Sequence, residues 1–114
     1  MNAEDIRLYC LSKKGVTESF PFNEDVLVFK VMDKIFLLSD LSGTSTVNLK
    51  CNPEYAIELR EKYPQIVPGF HMNKRHWNTI HYKELDEKLL LALIDHSYNT
   101  VVAGLPKKLQ AELQ

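Results

Sequence analysis

Apolar residues recur along this chain in two rhythms, one helical and one alternating. In "DEKLLLALIDHSYNTVVAG", Leu90, Leu93, Ile94, Tyr98, Val101 and Val102 follow the 3.6-residue period, with Asp86 near the start and Gly104 after the end. That pattern predicts a long amphipathic helix and the main helical contribution to the core. "NAEDIRLYCLSKKG" predicts a second helix: Ala3, Ile6, Tyr9 and Cys10 share a stripe, Glu4 and Asp5 sit near its start, Lys13 and Lys14 near its end, and Gly15 stops it. "PEYAIELREKY" predicts a third, with Asn52 as cap, Pro53 at the first helical position, and Tyr55, Ala56 and Leu59 on one side. "PKKLQAELQ" adds a short terminal turn.

The alternating rhythm marks strands. "VLVFKVM", from Val26 to Met32, and "KIFLLSDL" read as a hairpin that turns near Asp33 and Lys34. In "TVNLKC", Val47, Leu49 and Cys51 point one way while Asn48 and Lys50 point the other. In "HWNTIHY", Ile80 and Tyr82 share a face, and Trp77, Thr79 and His81 share the opposite one; periodicity leaves open which of these is buried. "SFPFNED" is a connection, and "PQIVPGFHMNKRH" is a loop rich in Pro and Gly with room for one short strand around Phe70. The expected order is α-β-β-β-α-β-α. This is an α+β two-layer sandwich, an antiparallel sheet with its helices on one face and the other face left without them.

A chain of 114 residues, 45% hydrophobic and 25% charged, fits one folded domain spanning 1–114. Fourteen basic against fifteen acidic residues leave a net charge of −1, which excludes attachment to nucleic acid by bulk electrostatics; any phosphate-binding patch must be local. The apolar runs "VLVF" and "LLLALI" fall far short of the roughly 20 residues a membrane span needs, and "MNAEDIRLYC" has no basic region followed by an apolar stretch. A cytoplasmic location without membrane attachment is expected. Cys10 and Cys51 lack CxxC spacing and read as small buried hydrophobes in a reducing compartment.

The densest chemistry lies in "GFHMNKRHWNTIHY", residues 69–82. His71, His76 and His81 are spaced by five, which puts His76 and His81 on opposite faces of a strand, so they read as structural or surface histidines rather than metal ligands. A trio such as Cys51, His76 and Asp40 is formally available for catalysis, yet none of the three sits in a recognisable catalytic motif. GxGxxG, GxxxxGK[ST] and HExxH are absent from the sequence. No catalytic residue, metal or cofactor is expected. The remaining candidate is a binding surface. Asn73, Lys74, Arg75 and His76 form a polar-basic tip, and Lys107 with Lys108 forms a second. With Trp77 on the uncovered face beside Lys30, Asn48 and Lys50, the strand offers a stacking platform for a base or for a partner's side chain. The competing reading makes the tryptophan part of the core.

Several segments in this order resemble the MmcQ/YjbR family over nearly the whole chain: "FPF", "VFKVMDKIFLL", "VNLKCNPEYAIELREKYPQIVPGFHMNKRHWNTI" and "LIDHSYNTVVAGLPKK". The resemblance implies a CyaY-like (frataxin-like) fold and DNA binding through a double-wing arrangement of hairpins. The motif positions it touches are Lys30, Lys50, His71, Asn73, Lys74, His76, Trp77 and Asn78, then Ser97, Tyr98, Lys107 and Lys108. It supplies no catalytic assignment. The chain departs from the family pattern at Asn23, where a Gly commonly follows "FPF", and at "HYKELDEK", a shorter turn after the tryptophan strand. The frataxin likeness also suggests iron, but Glu4 and Asp5 alone make no acidic ridge on the first helix. The combined expectation is a non-catalytic protein. Lys74, Arg75, Lys107 and Lys108 meet DNA phosphates, and Asn73, His76, Asn78 and Trp77 make base or shape contacts. A protein-binding face around Trp77 is the alternative.

Overall fold

The computed structural model describes residues 1–70 and 72–114. Six antiparallel strands form a single sheet: β1 (Val16–Ser19), β2 (Val26–Val31), β3 (Lys34–Asp40), β4 (Thr46–Lys50), β5 (Ile66–Pro68) and β6 (Trp77–His81), in the spatial order β1-β2-β3-β4-β6-β5. Four helices accompany them: α1 (Ala3–Leu11), α2 (Pro53–Lys62), α3 (Glu87–Ala103) and α4 (Lys107–Glu112), with a 3₁₀ turn at Tyr82–Glu84.

Cross-strand register decides the two faces, because directly paired residues point the same way. Leu27, Ser39, Val47, Ile80 and Ile66 form one row, and Phe29, Leu37, Leu49 and Asn78 the next. The apolar members of these rows join Ile6 and Cys10 of α1, Ala56 and Leu59 of α2, and Leu90, Leu93, Ile94 and Val101 of α3 in one buried cluster. All three longer helices therefore lie on this face, giving the α+β two-layer arrangement with the helices on one side. Each large side chain removed from water here, such as Phe29 or Leu37, stabilises the fold by about 1.5–3 kcal/mol.

Local chemistry sets the element ends. Asn52 Oδ1 accepts the N–H groups of Glu54 and Tyr55 at the start of α2, and Asp86 accepts that of Leu89 at the start of α3. The β2–β3 hairpin turns through Met32 (φ +48°) and Asp33 (φ +68°), the positive pair that a two-residue type I′ turn requires. A register shift between Phe29 and Lys30 places Phe36 beside Leu37 in the core. There its ring meets Tyr98 edge to face at 5.5 Å, and its carbonyl accepts the Ser97 hydroxyl at 2.5 Å.

Two strands depart from the expected order. β1 forms where the sequence offers only Val16 as an apolar residue; it pairs with β2 from Val16↔Val31 to Ser19↔Val28, and Glu18 turns back to Arg7 of α1. β5 falls at Ile66–Pro68 rather than around Phe70, with Pro68 on an outer strand, where a missing N–H is tolerated. The observed order is α-β-β-β-β-α-β-β-α-α. The terminal turn is a two-turn helix that brings Leu113 against Gly15 and Met32. Among the described residues, no helix is long and apolar enough to cross a membrane.

Candidate nucleic-acid interface

The row opposite the helices settles the orientation of Trp77. Lys50 pairs with Trp77, Asn48 with Thr79, and Thr46 with His81, so Trp77, Thr79 and His81 point away from the helices. Lys30, in step with Val28 and paired with Thr17, faces the same way. Trp77 is half-buried, as are Lys30, Asn48 and Lys50. The indole thus lies on the helix-free face directly beside Lys50, with Lys30 on the same face three strands away, and the core reading of Trp77 does not hold.

That face is not bare along its whole length. The β5–β6 connection is pinned to it: Gly69 N–H donates to Trp77 O at 2.9 Å, Phe70 N–H donates to Thr79 Oγ1 at 3.0 Å, and Thr79 Oγ1 donates to Asn48 Oδ1 at 2.5 Å. Lys74 Nζ reaches back to Gly69 O at 3.2 Å, and Arg60 of α2 donates to the Lys74 carbonyl. Asn73 closes the tip, its backbone carbonyl accepting from His76 and Trp77 and its Oδ1 from Arg75 N–H. Arg75 projects from this braced turn, and the Lys74 ammonium is held against it by Gly69 O with N–H groups still to donate, which lowers the ordering cost of any contact they make. His71 lies outside the described residues.

Register also sorts the charges. Val31 pairs with Lys34 and Lys50 with Trp77, which defines one end of the sheet. Lys14 and Gly15 reach that end: the Lys14 carbonyl accepts the Tyr98 hydroxyl, and the Gly15 carbonyl accepts Met32 N–H. The Ser97 hydroxyl accepts Lys50 N–H, so the second half of α3 crosses the same end before leading to Lys107 and Lys108. Lys14, Lys34, Lys74, Arg75, Lys107 and Lys108 are exposed there, with Asp33 of the β2–β3 turn beside them. The opposite end, where Val26 pairs with Asp40 and Thr46 with His81, carries Glu24, Asp25, Asp40, Glu84, Asp86 and Glu87 against Lys83 and Lys88. A net charge of −1 therefore conceals a molecule polarised along its strands.

Asn78 requires a correction. It pairs with Leu49 on the helix side, is 1% exposed, accepts Arg60 Nε–H at 2.7 Å and donates to the Ala56 carbonyl. A side chain so placed braces α2 and reaches no ligand on the other face. His76 is half-buried, and its carbonyl accepts Cys51 N–H at 2.7 Å. It lines an open groove of about 600 Å³ with Lys50, Asn52, Asn73, Trp77 and His96. His96, distant in sequence, reaches this groove from α3; burial holds its imidazole below the ordinary value, and Nε2 accepts Asn52 N–H at 3.2 Å.

Both thiols are free and buried, and desolvation pushes the Cys10 thiol up to about 12 and the Cys51 thiol to about 11. The trio Cys51, His76 and Asp40 does not assemble, since Asp40 pairs with Thr46 and Cys51 lies five residues further along, roughly 16 Å at about 3.3 Å per strand residue. Among the described residues, no three His, Cys, Asp or Glu side chains converge as metal ligands would. The additional cations Lys14 and Lys34 were not singled out from sequence, where only the alternation of charge with strand direction could have flagged them.

This geometry has relatives. The family model described as YjbR matches residues 11–100. The uncharacterized protein YbdF of Escherichia coli O157:H7 is 42% identical over 97 residues, covering 83% of this chain and 80% of that one. The uncharacterized protein YjbR of Escherichia coli K12 is 30% identical over 110 residues, covering 95% and 93%. The crystal structure of Deinococcus radiodurans protein DR2400, a DUF419 domain, superposes with a TM-score of 0.90 at 36% identity, covering 98% of this chain and 87% of that one. A Pseudomonas syringae protein of solved structure superposes with a TM-score of 0.72 at 29% identity, covering 85% and 96%. With the matched model spanning most of the sequence and YjbR of Escherichia coli K12 aligned nearly end to end, the chain belongs to the MmcQ/YjbR family.

Proposed function

We propose that this protein binds DNA without catalysing a reaction, through the basic end of its sheet. The observation that carries this reading is the placement of Trp77 opposite Lys50 on the helix-free face, at the end where Lys74, Arg75, Lys107 and Lys108 collect. Lys74 and Arg75 on the braced tip, with Lys107 and Lys108 at the head of α4, meet phosphates; Lys30 and Lys50 extend that track over the sheet. Trp77 supplies a stacking surface, while His76 and the Asn73 amide offer polar contacts at its edge. The double-wing arrangement implied by the family likeness corresponds here to the β2–β3 hairpin and the β5–β6 connection, both of which end at the basic pole. The CyaY-like comparison and a cytoplasmic location, where two free thiols stay reduced, belong to the same reading.

Fluorescence anisotropy with labelled duplex and single-stranded DNA at low and moderate salt tests it. Micromolar binding that weakens steeply with salt, and weakens again when Lys74 and Arg75 become alanine, is expected. Absence of binding at micromolar protein, or indifference to both substitutions, rejects it. A protein-binding face centred on Trp77 draws less support, because its neighbours at this end are Lys50, Asn73 and His76 rather than an apolar patch.

A further inference from the structure

The other end of the helix-free face has a different chemistry. There the "SFPFNED" connection and the β5–β6 connection rise from the sheet as two walls, each tipped by an aromatic ring left in water: Phe22 is 64% exposed and Phe70 53%. Between them runs a cleft of about 480 Å³, floored by Val26, Leu38 and Asn48 and closed on one side by Asp40. Its volume falls within the range of small-molecule sites, and it is more enclosed than the larger groove beside Trp77.

The walls are built rather than loose. Asn23 Oδ1 accepts the N–H groups of Asp25 and Val26, fixing the turn that carries Phe22, and the Phe70 N–H bond to Thr79 fixes the facing wall. Asp40 Oδ1 accepts the N–H and the hydroxyl of Ser42, and the Thr44 hydroxyl is a further donor to the carboxylate. These bonds hold the carboxyl below its ordinary range, so it is charged at neutral pH. Among the described residues no lysine or arginine lines the cleft, and Glu24 and Asp25 stand next to its Asn23 wall.

We propose that this cleft binds a small organic cation, a protonated amine carried on an aromatic or alkyl body, with the ammonium at Asp40 and the apolar body between Phe22 and Phe70. Ring faces attract cations and apolar surface alike, Met72 adds a polarisable contact, and the Asp40 carboxylate rejects anions of the same shape. The site is independent of the DNA reading, because it lies at the acidic pole and uses none of the basic-end residues.

The test is a titration followed by ¹⁵N–¹H correlation spectra. The probe is 2-phenylethylamine, with 2-phenylethanol and 3-phenylpropionate as neutral and anionic counterparts. Saturable shifts at Asn23, Asn48 and Phe70 at millimolar amine, weaker for the alcohol and absent for the acid, are expected. Asp40→Asn retains an acceptor for Ser42 and should weaken amine binding by about tenfold, near 1.4 kcal/mol. Phe22→Ala, at an exposed position that leaves the fold intact, should weaken it too, whereas removal of Lys74 and Arg75 should leave it unchanged. Equal binding of the acid and the amine, an unaffected Asp40→Asn variant, or no saturable shift with the amine overturns the proposal.

Discussion

Trp77 stands directly across the β4–β6 ladder from Lys50, with both side chains on the face that no helix covers. Paired positions of this kind keep their Cβ atoms about 4.5–5.5 Å apart, close enough for one ligand to touch both. The two residues nevertheless contribute different kinds of energy, and salt separates them. Lys50→Ala should lower the slope of log affinity against log salt by about one and cost little at high salt. Trp77→Ala should lower affinity by about 1–3 kcal/mol at every salt concentration with the slope unchanged. Anisotropy titrations across a salt series read both quantities; a changed slope for the Trp77 variant would mean that the ring only positions a cation.

Asn78 gives the opposite kind of variant, structural and silent in binding. Its amide links Arg60 to the Ala56 carbonyl inside the helix-facing layer. Asn78→Ala strands the Arg60 Nε–H and should cost about 1–3 kcal/mol in urea denaturation. At temperatures where the variant stays folded, its salt slope should match that of the parent. A marked loss of DNA affinity with unaltered stability would contradict the inward placement of this side chain.

Acid should weaken the contact between α1 and the β1 edge. The hydrogen bond from Arg7 holds the Glu18 carboxyl below its ordinary value. At Asp95 burial pushes the carboxyl up, but bonds from Lys13 and from the Tyr9 hydroxyl outweigh it, so this group too is lowered. Both folded values lie below the unfolded ones. The stabilisation is therefore complete above about pH 5 and disappears as pH falls through the folded values. Arg7→Gln should lower Tm modestly at pH 7, because the Arg7–Glu18 pair is partly exposed and screened, and this deficit should vanish as pH falls below about 4, flattening the acid limb. A parallel acid limb in the variant would assign acid sensitivity to other carboxylates.

Much of this architecture was readable in the chain, and its unread parts share a cause. α3 declared itself through Leu90, Leu93, Ile94 and Val101, and α2 through Asn52 and Pro53, because periodicity and capping are local. β1 and β5 did not, since an edge strand of three or four residues becomes a strand only when a partner pairs with it. The inward turn of Asn78 was available in principle: strict alternation from Trp77 puts it in step with Ile80, and its polar character argued misleadingly for the surface. The polarity of charge could not be seen from net charge, because register alone brings Lys34 and Lys50 to one pole and Asp40 to the other. Phe22 and Phe70 lie 48 residues apart in sequence on separate connections, so no local pattern announces that they face one cleft.

Gly69 tests how tightly the basic tip is coupled to the sheet. A Cβ there would stand 2.9 Å from Trp77 Cβ and 3.0 Å from Trp77 O, contacts that neither atom can relieve by a rotamer change. The Gly69 N–H also donates to Trp77 O at 2.9 Å, so backbone movement at residue 69 pulls on the same bond. Gly69→Ala should therefore lose about 1–3 kcal/mol through overpacking. It should also displace the indole, changing tryptophan fluorescence, which reports on Trp77 alone because the chain has one tryptophan. Gly104→Ala is the control: its backbone is in the right-handed helical region, and the nearest atom to a new Cβ lies 3.5 Å away. There, lost freedom in the unfolded chain should leave stability equal or raise it by about 0.4–1 kcal/mol. Thermal unfolding and fluorescence of the two variants side by side decide the point. If Gly69→Ala matches Gly104→Ala in both, the tip is not held against Trp77 as described, and the pre-ordering of Lys74 and Arg75 loses its structural basis.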